Sequence, residues 1–252
     1  MFDKEIEFSA QEDYFSLKED YPIPAKLNIP EWYKKLEHNI ENKTVKGCMP
    51  FLDSLTAGYI LKMPQDFYVR HNVDNKNEKG EPIKDSFKLF GLYDMSHQLW
   101  SKFINLNSST LEIHPPKQLE GSPLIDKNKN LPFFKIINPW KIKTPKGYSC
   151  LFVPPLNNSD DRFSIIPGIV DTDTFVNEVN FPIVINGDKY PSLDTVIKKG
   201  TPYVQVIPFK RDSWKMKFNL RLHKEVFRSR VSMSLKLLNA YKEKYWKKKS
   251  WK

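Results

Sequence analysis

Proline spacing sets the first limit on how this chain folds. Prolines recur at short intervals from Pro22 to Pro208, 19 in all, and then stop. A proline inside a helix removes a backbone donor and clashes with the preceding turn, so long helices do not run through such spacing. Between the prolines lie short runs of β-branched and aromatic residues at 58–61, 67–69, 133–137, 149–153, 181–185 and 203–207. Short strands separated by turn residues predict a mainly β protein, with a single sandwich, jelly-roll-like or β-clip body.

Three regions follow from the same punctuation. Residues 1–47 read as an extended N-terminal arm with a short helix, since Tyr21-Pro22-Ile23-Pro24 is extended and Pro30 suits the first turn of a helix through Glu31-Trp32-Tyr33-Lys34. Residues 48–211 form the β-rich body, in which the polar stretch 70–85 reads as an exposed hairpin or loop and 115–130 as a second loop. Residues 212–252 read as a basic amphipathic helix and tail. Leu222, Phe227, Val231, Leu238, Tyr241 and Tyr245 recur near a helical period, without Gly or Pro, which predicts a helix over about residues 220–246.

Charge is unevenly placed. Residues 210–252 carry 15 Lys or Arg against Asp212, Glu225 and Glu243, a net +12, which leaves −2 for the first 209 residues. The overall +10 is therefore no footprint for nucleic acid on the whole protein. The C-terminal segment is different: Arg221, Lys224, Arg228 and Arg230, with Trp246, Lys247, Lys248 and Lys249, mix cations and rings in a way that holds phosphates and stacks bases. The same residues also suit docking on an acidic protein partner, or a solvated helix face with a frayed tail.

Several functions lack their signatures. No window has the run of about 18 apolar residues that a membrane-spanning helix needs. The start, MFDKEIEFSAQEDYF, is acidic where a signal peptide is basic and then apolar, so a cytoplasmic protein without membrane contact is expected. Cys48 and Cys150 stand alone, without a CxxC or a Cys/His cluster, and are expected to be buried free thiols. The histidines make no HxH or HExxH pattern; His71 with Asp74 is the nearest approach to a ligand pair and reads as a polar turn. GxSxG, GxGxxG and GxxxxGK[ST] are absent. No catalytic residue, metal or cofactor is therefore expected.

One acidic pair stands out. Asp171 and Asp173 follow Gly168-Ile169-Val170, and carboxylates at i and i+2 on a strand share a face, where they can bind a cation or accept from a ligand hydroxyl. The same spacing after a glycine is ordinary turn chemistry.

The ordered motifs Ile29-Pro30-Glu31-Trp32-Tyr33-Lys34, Cys48-Met49-Pro50-Phe51-Leu52-Asp53, Thr144-Pro145-Lys146-Gly147-Tyr148-Ser149, Pro154-Pro155-Leu156-Asn157, Gly168 to Asp173 and Pro208-Phe209-Lys210-Arg211 span most of the chain. Together they resemble a domain of unknown function carried by tailed phages, especially of marine bacteria, and by some bacteria. A weaker resemblance joins Pro145-Lys146-Gly147-Tyr148, Gly168 to Asp173, Lys199-Gly200 and Gln205-Val206 to the β-clip dUTPases and dCTP deaminases. It implies a nucleotide pocket with Tyr148, Asn157, Asp171, Asp173 and Arg211 as ligand-binding residues, in which Asp171 or Asp173 accepts from a sugar hydroxyl, Tyr148 stacks, and Arg211 or Lys210 faces phosphate. Ile60 stands where those enzymes position water with an Asp, and the Pro154 to Asn157 segment replaces their phosphate-binding Arg-Ser-Gly. The leading expectation is a phage-type, non-enzymatic binding or assembly module, with a protein partner (another copy, a virion component or a host protein). Nucleotide binding and nucleic-acid binding are the alternatives.

Overall fold

The computed structural model describes residues 4–74, 77–79, 87–92, 111–129, 131, 133–220, 223–236 and 238–252. In chain order these form β1 (Glu7–Ser9), α1 (Glu12–Phe15), β2 (Ile23–Pro24), α2 (Glu31–Lys35), α3 (Met49–Thr56), β3 (Tyr59–Lys62), β4 (Asp66–Asn72), β5 (Phe87–Leu92), β6 (Leu111–His114) and α4 (Pro123–Lys127). They continue through β7 (Phe133–Ile136), β8 (Lys141–Lys143), β9 (Tyr148–Val153), β10 (Phe163–Ile165), β11 (Gly168–Val170), β12 (Phe181–Ile185), β13 (Ser192–Ile197), β14 (Pro202–Lys210), α5 (His223–Ser234) and α6 (Ala240–Lys244).

The protein is mainly β. Strands order as β11-β9-β14-β3-β2, as β10-β12-β7-β6, as β13-β4-β5, and as the pair β1-β8, with antiparallel pairing in each sheet and none closing on itself. Alternation explains how one core serves several sheets: in β4, Phe67, Val69 and His71 are buried while Asp66, Tyr68 and Arg70 lie outward. Leu61, Phe67, Phe134, Ile136, Phe152, Ile165, Ile183 and Val204 from different sheets meet in that core. The N-terminal arm is woven into the body, because β1 pairs with β8 and β2 extends the five-stranded sheet beside β3. Tyr14 and Tyr21 set their rings edge-on to Trp140 at 5.4 and 5.3 Å.

Four expectations change in detail. The polar stretch from residue 70 begins as strand, since Arg70 and Asn72 pair in register with Asp194 and Ser192; its residues 75–76 and 80–85 lie outside the described residues. Residues 115–130 include α4, whose first turn is capped by the Ser122 hydroxyl accepting from Leu124 N. Cys48 is exposed at the start of α3, and only Cys150 is buried. The single C-terminal helix divides into α5, which ends at Ser234, and α6, which starts after Asn239; Asn239 adopts φ 60°, a left-handed conformation that Asn tolerates better than other side chains.

Candidate functional site

β9 carries the predicted residues to two separate places. At its first end lies a charged knot. Arg211, just past β14, donates from Nη1 to Asp173 Oδ1 at 2.8 Å and from Nη2 to Asp173 Oδ2 at 2.5 Å. The same Nη1 reaches Ser149 Oγ at 3.0 Å, Tyr148 O at 3.1 Å and Asp171 Oδ1 at 3.2 Å. Ser149 Oγ donates to Asp171 Oδ1 at 2.6 Å, and Gly147 N donates to Asp173 Oδ2 at 2.8 Å. The forked guanidinium matches a carboxylate with two parallel bonds, which fixes geometry as well as charge.

The two carboxylates do not lie on a strand. β11 ends at Val170, and Asp171 to Thr174 form a turn in which Thr174 and Phe175 donate their backbone N–H to Asp171 O. The turn curls Asp173 back under Arg211, where its side chain is only 3% exposed. Arg211 first, then the Gly147 N–H, holds the Asp173 carboxyl down at about 2. A general acid or base works best with a pKa near the operating pH, and Asp173 is far from it. Asp173 also has both oxygens engaged inside the protein.

Tyr148 joins the knot through its carbonyl, while its ring faces Lys4 Nζ at 4.3 Å to the ring centre. Behind the knot, Thr172 Oγ1 meets Thr144 Oγ1 at 2.7 Å and Cys150 Sγ at 3.3 Å. Burial pushes the Cys150 thiol up to about 11, so it is a protonated core group at neutral pH.

Asn157 lies beyond the other end of β9. It holds φ 57° and donates from Nδ2 to Ser54 Oγ at 2.7 Å, tying the Pro154–Asn157 turn to α3. Next to it, the buried Gln205 accepts from Leu156 N at 2.8 Å and donates to Ser54 O at 2.9 Å and Ala57 O at 2.7 Å. One amide thus joins three segments. Gly58 completes the junction: it has φ +68°, and a Cβ there would stand 1.9 Å from Val206 O.

The C-terminal cations divide. Lys224, Arg228 and Arg230 on α5 are exposed, as are Lys247 and Lys248, whereas Arg221 lies outside the described residues. The tail is not frayed but docked. Trp246 Nε1 lies 3.1 and 3.0 Å from the two Asp53 carboxylate oxygens, and Lys249 Nζ is 2.5 Å from Asp53 Oδ2. Tyr59 OH donates to Lys252 O at 3.1 Å, and the Trp251 ring stands edge-on to Tyr59 at 6.3 Å. Sequence reasoning misses Asp53 and Tyr59 as this socket, because 193 residues separate each from its partner.

No group of three or more His, Cys, Asp or Glu side chains among the described residues is placed to hold a metal ion. His71 is buried, and its Nε2 lies 2.6 Å from Tyr190 O, a carbonyl that only accepts, so Nε2 carries the proton. No helix is long and apolar enough to cross a membrane among the described residues. No protein-family model and no curated protein matches this chain.

Proposed function

We propose that this protein is a non-catalytic binding or assembly module, with the β body as a rigid platform and residues 211–252 as the element that engages partners. One observation carries the reading. After β14 the chain leaves the body in extended form with Trp214, Met216, Phe218 and Leu220 exposed by 91, 79, 86 and 100%. Large apolar side chains displayed in series mark a surface made to be covered. The Arg211 knot supports the same reading, since its Arg211–Asp173 pair is satisfied within the chain and serves to fix the root of this element. The resemblance to a phage-borne domain favours a role in a virion or in an infected cell.

The test is the mass of the purified full chain by light scattering, joined to a thermal-shift screen against nucleotides and divalent metals. A multi-subunit mass without nucleotide stabilisation is expected. A ligand at 100 times its Kd adds about 2.7 kcal/mol of apparent stability, so a true nucleotide site would be visible. A monomer stabilised by a nucleotide would overturn the proposal.

A second reading, nucleic-acid binding, is favoured by the exposed Lys224, Arg228 and Arg230, which make no ion pair with the described residues. It requires affinity for a short DNA that falls steeply from 50 to 200 mM salt, a loss of about 10³-fold or more for six phosphate contacts. Salt-independent or absent binding disposes of it.

A further inference from the structure

We propose that the C-terminal tail is exchanged between copies of this chain, so that Trp246, Lys249 and Trp251 of one copy fill the Asp53–Tyr59 socket of another while residues 212–220 run as a strap across the second body. The proposal rests on the assembly reading and gives it a partner and a mechanism.

Two observations carry it. The first is the plug and socket themselves. Asp53 on α3 receives the Trp246 N–H and the Lys249 ammonium, and Tyr59 on β3 receives Trp251 and the Lys252 carbonyl. Because the socket is built by this chain and the plug is built by this chain, a second copy offers the same plug to the same socket. Exchange of an identical element needs no new interface, which makes it a low-cost route to oligomers.

The second is the strap. Ser213 to Leu220 alternate strictly between polar and apolar, with Trp214, Met216, Phe218 and Leu220 on one side and Lys215, Lys217 and Asn219 on the other. A period of two is the pattern of a strand with one face buried. Yet residues 213–220 lie outside every strand of the structure, make no hydrogen bond to the described residues, and are exposed throughout. α5, which follows, buries none of its residues, and Phe227 and Leu235 are 60 and 79% exposed. Within one chain residues 213–220 are extended and uncovered, and with α5 and α6 they join two well-held ends: Arg211 in its knot and Trp246 in its socket. Nine extended residues span up to about 30 Å, ample to cross to a neighbour.

Carbodiimide coupling on the full-length wild-type chain reads the difference, because it joins the Asp53 carboxylate to the Lys249 amine as an amide while the carbodiimide takes up the elements of water and leaves as a urea. Separation on a denaturing gel and peptide mapping are expected to find the Asp53–Lys249 product in covalent multimers. The companion measurement uses Asp53→Cys with Lys249→Cys in a Cys48→Ser background, oxidised and run without reductant. Disulfide-linked multimers are expected, and an internally closed single chain overturns the exchange. A multi-subunit mass with the link confined to single chains removes the exchange and leaves the assembly reading standing; a monomeric mass removes both. No Asp53–Lys249 product in either measurement removes the contact and the proposal with it.

Discussion

The guanidinium of Arg211 grips both oxygens of Asp173 across a turn, and the backbone N–H of Gly147 holds the same carboxylate from the other side. The arrangement ties the last residue of the body before the strap to the β8–β9 connection and to the turn after β11. It anchors the root of the C-terminal element.

That grip makes stability depend on acid in a specific way. Asp173 has a folded pKa of about 2, below the ordinary aspartate value of 3.8, so the unfolded state binds the proton more readily. Its contribution is therefore fully present above about pH 4 and is lost as pH falls toward 2. Urea midpoints measured from pH 5 to pH 2 should decline in the wild type, and Asp173→Asn should lower the pH 5 value and flatten the decline. An unchanged slope in the variant would show that the carboxylate is not held as described.

Gly58 and Gly147 both have positive φ, but only one is crowded. At Gly58 a Cβ would meet Val206 O at 1.9 Å; at Gly147, with φ +85°, a Cβ meets nothing within 4 Å. Gly147→Ala should cost only the left-handed backbone, about 1–2 kcal/mol. Gly58→Ala should cost clearly more, since the β3–β14 pairing must shift as well. Equal losses in chemical denaturation would refute the close approach.

Gln205 is 1% exposed and makes three hydrogen bonds to backbone groups. Gln205→Leu preserves bulk but strands Leu156 N, Ser54 O and Ala57 O, at about 1–3 kcal/mol for each group left dry. We expect a loss of at least about 3 kcal/mol by urea unfolding. Gln205→Glu should fare no better, because a carboxylate would face two carbonyl oxygens.

The Tyr203 hydroxyl is fully buried and has no hydrogen-bond partner among the described residues. Burial alone raises its pKa. Removing an unpaired buried hydroxyl while keeping the ring, as in Tyr203→Phe, should raise stability by about 1 kcal/mol, or roughly 2–4 °C in Tm for a protein of this size. A lower Tm would mean that the hydroxyl has a bonded partner, such as an internal water.

Part of the fold is legible in the sequence itself, and it is the part governed by local physics. Proline spacing excludes long helices from the body, and short β-branched and aromatic runs such as Phe67-Tyr68-Val69 mark strands, because steric rules and side-chain shape act over a few residues. The uneven charge is equally plain, since it is a sum over the sequence. The predicted site separates along the same line. Residue type singles out Asp171 and Asp173, the β-clip resemblance adds Tyr148 and Arg211, and the four do converge. That Arg211 and Asp173 satisfy one another is invisible in the sequence, because it depends on the turn after Val170 and on β9 lying between β11 and β14. Asn157, which the same resemblance groups with them, instead sits past the far end of β9, bonded to Ser54.

The C-terminal segment shows the division most sharply. Its apolar period predicts one helix, whereas the structure has two, α5 ending at Ser234 and α6 starting after the left-handed Asn239. The alternation of residues 213–220 belongs to the sequence alone. That the alternation is uncovered, and that Trp246 returns to Asp53, belongs to tertiary structure, for contacts across 193 residues leave no periodic trace in either partner. Local stereochemistry chose the elements; the packing of distant surfaces decided which charges were satisfied inside the protein and which apolar side chains were left to be covered.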